Sequence, residues 1–358
     1  MNIKSSGDNL IELFVQGLLQ WNANDNQRHM PWKGEKDPYK IWLSEIILQQ
    51  TRVEQGLSYY NNFVKTFPTV HHLAQAPEQQ VFKLWEGLGY YTRCKNLIAT
   101  AHYISRELNG VFPRDYEGIL GLKGVGAYTA AAIASFAYHL PYAVLDGNVF
   151  RVLSRILDVE LPIDTTEGKK HFAALAQHLL PQDKAGEYNQ AIMDFGATVC
   201  KPQPECARCF FNQHCRAFLQ NKQAALPVKS KQVKTRVRWF HYVILQHADA
   251  IALHQRTGKD IWQNLYEVLL IEGDRQWNKE KLLRQLEKSY DLPPAGYDVI
   301  SAAAHTTQKL THQQIHFSFL HLQLKKQIKL ENHIWVFKED LLKYPFPKTL
   351  QAFLQKNL

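Results

Sequence analysis

The chain has 358 residues, 45% hydrophobic and 21% charged, with 42 Lys and Arg against 33 Asp and Glu for a formal charge of +9. That length exceeds most single cores and predicts two or three domains, and the composition excludes a largely disordered chain. No run approaches the ~18 apolar residues of a membrane span and MNIKSSGDNLIELFV lacks a secretory signal, so the expectation is an intracellular protein with no membrane partner; the basic excess suits a polyanionic one, although solubility alone explains a charge of this size.

From Leu10 to about Ala224, apolar residues recur at spacings of three and four with short Gly, Pro and Asp punctuation, which predicts a mostly helical region. Early in it, YKIWLSEIILQQTRV puts Ile41, Glu45 and Leu48 on one helix face, so Glu45 shares an apolar stripe. A carboxylate so placed either pairs with a cation or stays partly desolvated with a raised pKa, able to act as a general acid. Gln50 and Thr51, just beyond, supply an amide and a hydroxyl suited to base edges or phosphates. In GLGYYTR, residues 87–93, the adjacent tyrosines either pack in a core or stack on bases.

LGLKGVGAYTAAAIASF predicts a short helix from about Asp115, a turn at Gly124-Val125-Gly126 and an Ala-rich helix from Tyr128, a helix-hairpin-helix pattern. Both glycines can take positive φ, and the free N–H groups opening the second helix can hold one phosphate. An ordinary inter-helix turn also uses GxG; the wider L-x-G-V-G-x-x-T-A context favours DNA. In YAVLDGNVFRVLSRI, Asp146 and Asn148 precede a helix striped by Val149, Val152, Leu153 and Ile156. Asp146 is either an N-cap or a fixed negative charge able to stabilise a developing cation.

Four of the five cysteines fall in CKPQPECARCFFNQHC as Cys200, Cys206, Cys209 and Cys215, spaced C-x5-C-x2-C-x5-C. Four thiolates in one loop fit tetrahedral zinc or a [4Fe-4S] cluster, and a single CxxC knuckle with one outlying Cys on each side tilts the choice to iron–sulfur. Cys94, in a helical pattern, reads as a packed thiol. PVKSKQVKTRVRW then carries five basic residues and no acidic one, a linker composition. Beyond it RWFHYVILQ, AIALHQR, YEVLLIE and HFSFLHLQLK predict strands and NKEKLLRQLEKSY a helix, together an α+β domain.

RHMPWKGEKDPYKIWLSEIILQQTRV, FPTVHHLAQAP, LWEGLGYYTRCKNL, LDGNVFRVLSR and NQAIMDFGATVC, in this order between Gln27 and Cys215, resemble the helix-hairpin-helix base-excision DNA glycosylases that carry an iron–sulfur cluster, above all their adenine-excising members. The resemblance implies a mostly α catalytic region over 1–226, with a six-helix barrel at about 29–140 and a cluster domain from the N-terminal helix plus about 141–226. It implies a basic linker at 227–238 and an α+β Nudix-like lesion-recognition domain at 239–358. It further implies that Glu45 protonates adenine N7, that Asp146 stabilises the oxocarbenium ion before water attacks, and that Asn148 and Tyr128 support both, the logic of two-carboxylate glycoside cleavage. Arg28, Trp32 and Gln190 match the pocket around a flipped adenine. Gln50 and Tyr90 match residues inserted near an opposing 8-oxoguanine. Cys200, Cys206, Cys209 and Cys215 match the cluster ligands, although their first gap is five residues where the family has six.

Relatives with lyase activity on oxidised pyrimidines, resembling endonuclease III, place a Schiff-base lysine where this chain has Tyr128, so a monofunctional glycosylase is expected. Lys123, in the hairpin turn beside Gly124 and Gly126, stands where the family has Pro and suggests phosphate contact. The family's Phe-Ser-His lesion loop falls on Leu310-Thr311-His312. The tail lacks the G-x5-E-x7-REUxEE pattern needed to hold Mg²⁺, so it should bind rather than hydrolyse. The expected substrate is double-stranded DNA carrying adenine opposite 8-oxoguanine or guanine, and the expected protein a monomer, cytoplasmic in a bacterium or nuclear in a eukaryote. The third alternative is a non-catalytic DNA-binding module in which Glu45 is an ion-pair member and Asp146 a cap.

Overall fold

The computed structural model describes residues 6–230, 235–290 and 292–358. The middle of the expected linker, residues 231–234, lies outside the described residues. The chain forms two compact units, one of Met1–Gln75 with Asn96–Lys231, the other of Ala76–Lys95 with Gln232–Leu358.

The first part of the chain is helical throughout: α1 (Ser6–Asn24), α2 (Pro38–Leu48), α3 (Val53–Thr66), α4 (Val70–Gln75), α5 (Glu78–Trp85), α6 (Tyr91–Glu107), α7 (Tyr116–Leu120), α8 (Ala127–Tyr138), α9 (Gly147–Leu157), α10 (Thr166–Leu179), α11 (Ala185–Thr198) and α12 (Arg216–Leu219). Side-chain caps set several starts. Asp37, followed by Pro38 at the first helical position, accepts from Tyr39 N; Asp115 accepts from Gly118 N, and Thr165 from Gly168 N. One core of the first unit joins Phe14 and Leu18 of α1 to Val152 of α9, Phe172 of α10, and Ile192 and Phe195 of α11. Each such side chain contributes about 1.5–3 kcal/mol by leaving water. At Gly196 a Cβ would lie 2.7 Å from Asn148 Cβ, so the absent side chain lets α11 run against the start of α9.

The second unit holds α5 and a seven-stranded sheet. After α12 the chain continues as β1 (Arg236–His247), β2 (Ala250–Gln255), β3 (Tyr266–Glu267), β4 (Leu269–Gly273), α13 (Lys279–Tyr290), β5 (Tyr297–Lys309), β6 (Gln313–Leu324), β7 (His333–Phe337) and α14 (Lys348–Asn357). The order is β3-β2-β1-β6-β5, with β4 also on β1 and β7 on β2. β1 and β6 pair in parallel from Arg236↔Gln313 to Gln246↔Gln323, while β5 and β6 form an antiparallel pair closed by residues 310–312. Leu282 and Leu286 of α13 cover Leu245, Leu320 and Leu322 of the sheet.

The sequence differs from the structure here in three places. YEVLLIE is broken at Val268 into β3 and β4. The last three linker residues, 236–238, already belong to β1, where Arg238 is 6% exposed and grips Asp260 and Glu272 at 2.7 Å each. Among the described residues β5, β7 and α14 complete the domain.

Candidate active site

α2 is buried at most positions from Tyr39 to Ile47, and Glu45, 6% exposed, is carried into that apolar packing. It borders a cavity of about 840 Å³ that also receives Tyr128 and Asp146. Burial pushes the Glu45 carboxyl up to about 7; a hydrogen bond donated by Tyr128 opposes the rise and the nearby Asp146 charge adds to it. Desolvation, not a neighbouring cation, is the largest influence on Glu45 among the described residues. Burial also holds the Tyr128 hydroxyl well above its usual pKa, with Glu45 and Asp146 adding, which keeps it a donor.

Asp146 does cap α9, Oδ1 accepting from Val149 N at 2.8 Å, and at the same time borders the cavity. The cap and the functional reading are therefore compatible. Burial raises its pKa, opposed by the Val149 N–H and by Asn148, whose Nδ2 donates to Oδ2 at 2.7 Å. Asn148 Oδ1 in turn accepts from Arg151 Nη2 at 2.8 Å, and Arg151 also donates to the carbonyls of Gly196 and Cys200 at 2.7 and 2.8 Å.

Arg28, Trp32, Gln50, Thr51 and Gln190 border the same cavity. Trp32 lies edge-on to Tyr60 with centroids 5.1 Å apart. Gln50 has φ +55°, a left-handed conformation unusual outside glycine. Two residues absent from the expected set join them. Lys33 borders the cavity, and Asp194, its side chain 0% exposed, binds Arg28 Nη1 at 2.8 Å and Lys33 Nζ at 3.0 Å. Asp194 follows Gln190 by four residues on α11, the spacing that brings helical side chains together; that was the available signal.

The second unit has its own cavity, of about 450 Å³, bordered by Tyr90, Trp262, Lys309, Thr311 and His312. Tyr90 is 46% exposed with φ +48°, and its hydroxyl shares a hydrogen bond with Thr311 Oγ1. Arg93 lies over the Tyr90 ring at 5.5 Å and over Trp85 at 5.2 Å.

In the hairpin, Gly124 has φ +82° and an added Cβ would meet Asn96 Cβ at 2.7 Å. Gly126 departs from the expectation of positive φ: at −98° it is the N-cap of α8 in extended backbone, with open space over its α-carbon. Lys123 is exposed and its carbonyl accepts from Thr100.

Cys200, Cys206, Cys209 and Cys215 border one small cavity beside Phe195 and Phe211. Among the described residues no three His, Cys, Asp or Glu side chains converge closely enough to hold a metal ion, so the sulfurs share the cavity without meeting at a point. Burial pushes the Cys209 thiol up to about 11, so this sulfur is neutral near pH 7 when no metal binds it. The donor set still fits a thiolate-bound group. Arg155 Nη1 lies 3.5 Å from Cys200 Sγ and Phe211 N donates to Cys209 Sγ at 3.4 Å, both aimed at sulfur.

Residues 43–182 match the HhH-GPD superfamily of base excision DNA repair proteins, and 241–356 match the NUDIX domain. An adenine DNA glycosylase of Buchnera aphidicola subsp. Baizongia pistaciae is 36% identical over 257 residues, covering 71% of this chain and 72% of that protein. The chain belongs to the adenine DNA glycosylases. The Mus musculus adenine DNA glycosylase is 38% identical over 60% of this chain and 44% of its own. A thermostable thymine-DNA glycosylase structure aligns with TM-score 0.56 and 28% identity, over 60% of this chain and all of that one. A trapped endonuclease III–DNA covalent intermediate shares the fold at TM-score 0.52 and 19% identity, over 60% of this chain and 97% of that one. The enzyme is thus an adenine-specific base-excision glycosylase with a helical hairpin-containing region and a Nudix-like tail. No described helix is long and apolar enough to cross a membrane.

Proposed function

We propose that this glycosylase removes adenine paired with 8-oxoguanine, and also with guanine, in double-stranded DNA, by acid-assisted hydrolysis without a lyase step. The observation that carries the chemistry is Glu45: buried on α2, with a pKa pushed up to about 7 and facing the same cavity as Asp146. A carboxyl poised there is protonated often enough at neutral pH to give its proton to N7, which weakens the N-glycosidic bond. As the bond breaks, positive charge grows on the sugar, and Asp146, oriented by Val149 N and Asn148, supplies the opposing charge before water adds. Tyr128, which borders the same cavity as Glu45, lacks an amine and cannot form a Schiff base with the opened sugar.

Arg28, Trp32 and Gln190 are assigned to the flipped adenine, and Gln50, Thr51, Tyr90, Thr311 and His312 to the opposite strand. Gly124, Gly126 and Lys123 are assigned to a phosphate. Cys200, Cys206, Cys209 and Cys215 would hold a [4Fe-4S] cluster, which ties their loop together rather than taking part in bond cleavage. The working form is a monomer whose catalytic region ends near residue 226, ahead of the linker and the lesion-recognition domain.

The test is single-turnover adenine release from an A:8-oxoguanine duplex at saturating enzyme. Glu45→Gln and Asp146→Asn should each lose on the order of 10²–10⁴-fold in rate while still binding the duplex, and borohydride should trap no efficient covalent adduct. A wild-type rate in either variant would sink the assignment.

A further inference from the structure

We propose that Asp194 sets the base selectivity of the cavity, acting as a positioning residue that fixes which end of the Gln190 amide faces the substrate. Asp194 is fully buried and both its oxygens are engaged. Oδ1 accepts from Arg28 Nη1 at 2.8 Å and Gln190 Nε2 at 3.0 Å, Oδ2 from Lys33 Nζ at 3.0 Å and Asn26 Nδ2 at 2.9 Å. An ionised carboxylate only accepts, so Gln190 must turn its NH₂ towards Asp194. Its carbonyl oxygen is then left for the cavity that Gln190 borders with Glu45 and Asp146.

An acceptor in that position selects by chemistry. The 6-amino group of adenine donates to it, whereas a 6-oxo purine presents a carbonyl, and two facing acceptors are each left unsatisfied in a partly desolvated site. Without Asp194 the amide is free to turn over, and the reader loses its sense. Arg28 and Lys33 are steadied by the same carboxylate, so the cations enter the cavity with fixed geometry as well. The inference rests on adenine as the substrate and adds how adenine is told from its 6-oxo analogues.

The experiment compares single-turnover release of adenine, hypoxanthine and unsubstituted purine, each opposite 8-oxoguanine, for the wild type, Asp194→Asn and the swap Asp194→Asn with Gln190→Glu. In Asp194→Asn the rate on adenine should fall roughly 10- to 100-fold further than the rate on purine, which has no group at C6 and loses only what the loosened Arg28 and Lys33 cost every base; the adenine-to-purine ratio therefore collapses. In the swap, the amide introduced at position 194 can donate to one oxygen of the carboxylate introduced at position 190 and leave the other oxygen facing the cavity, so the ratio should recover. An equal loss on all three bases, or a swap that fails to restore the preference, overturns the proposal and leaves Asp194 a purely structural anchor. If Asp194→Asn folds poorly, the swap alone decides in the same way. Adenine release by the wild type speaks to the functional reading separately from these ratios.

Discussion

In the proposed mechanism Glu45 acts on the rate, and in any case on the stability of the molecule, through one property, a carboxyl that burial has pushed up to about 7. As a proton donor it is competent below that value, so single-turnover adenine release should fall as pH rises through about 7; a rate flat to pH 9 would remove Glu45 from the role. The stability effect has the same sign. A folded pKa raised above 4.5 means that the folded state holds the proton more tightly, so the contribution is fully present below about pH 4.5 and is lost as pH rises to about 7. The size is on the order of 3 kcal/mol for a shift this large. Glu45→Gln, neutral at every pH, should therefore melt higher than the wild type by a margin that widens between pH 5 and pH 8, as thermal unfolding would record. The apolar stripe marked Glu45 as a candidate and the cap position marked Asp146, but both patterns left the ion-pair and cap readings open, and only the resemblance to the glycosylases assigned them roles. Asp194 was marked only by its i+4 spacing from Gln190, because its other partners Asn26, Arg28 and Lys33 lie more than 160 residues away.

At the level of elements, the hairpin between α7 and α8 makes two glycines do different things. Gly124 sits at φ +82° with Asn96 against its α-carbon, so Gly124→Ala meets both backbone strain and a clash and should destabilise the protein by ~1–3 kcal/mol. Gly126 has ordinary φ and free space, so Gly126→Ala should leave the melting temperature within about a degree or two. If the N–H groups behind it receive a phosphate, the added methyl should still weaken duplex binding at low salt. A titration together with a melt separates the two effects, and unchanged affinity in Gly126→Ala would argue that no phosphate comes that close. The GVG motif made the turn legible, but not which glycine carries the left-handed residue, since that depends on where the helix begins. β5 was hidden for another reason: its ISAAAH centre has neither the alternation nor the β-branched density of a strand, and its pairing to β6 shifts register twice. Tertiary pairing, not local preference, makes it a strand.

On the scale of the whole molecule, the family blocks gave the order of the regions, whereas the excursion of residues 76–95 into the second unit left no mark in composition. That excursion is tied down by polar contacts. Glu86 accepts from Phe346 N at 2.7 Å and Gln351 Nε2 at 2.6 Å, and Lys83 Nζ donates to the Tyr344 carbonyl at 3.1 Å. Cutting the chain after Ser230, at an engineered protease site, should leave the two fragments associated through gel filtration in moderate salt. Fragments that separate freely would show that these contacts are too weak to hold. If they hold, the protein is a natural two-piece complementation system, in which the tail cannot be exchanged as a cassette. A donor tail would have to bring its own backbone N–H for Glu86 and its own carbonyl for Lys83, so recombination between relatives should succeed only where the crossover keeps segment 76–95 and residues 344–358 from the same parent.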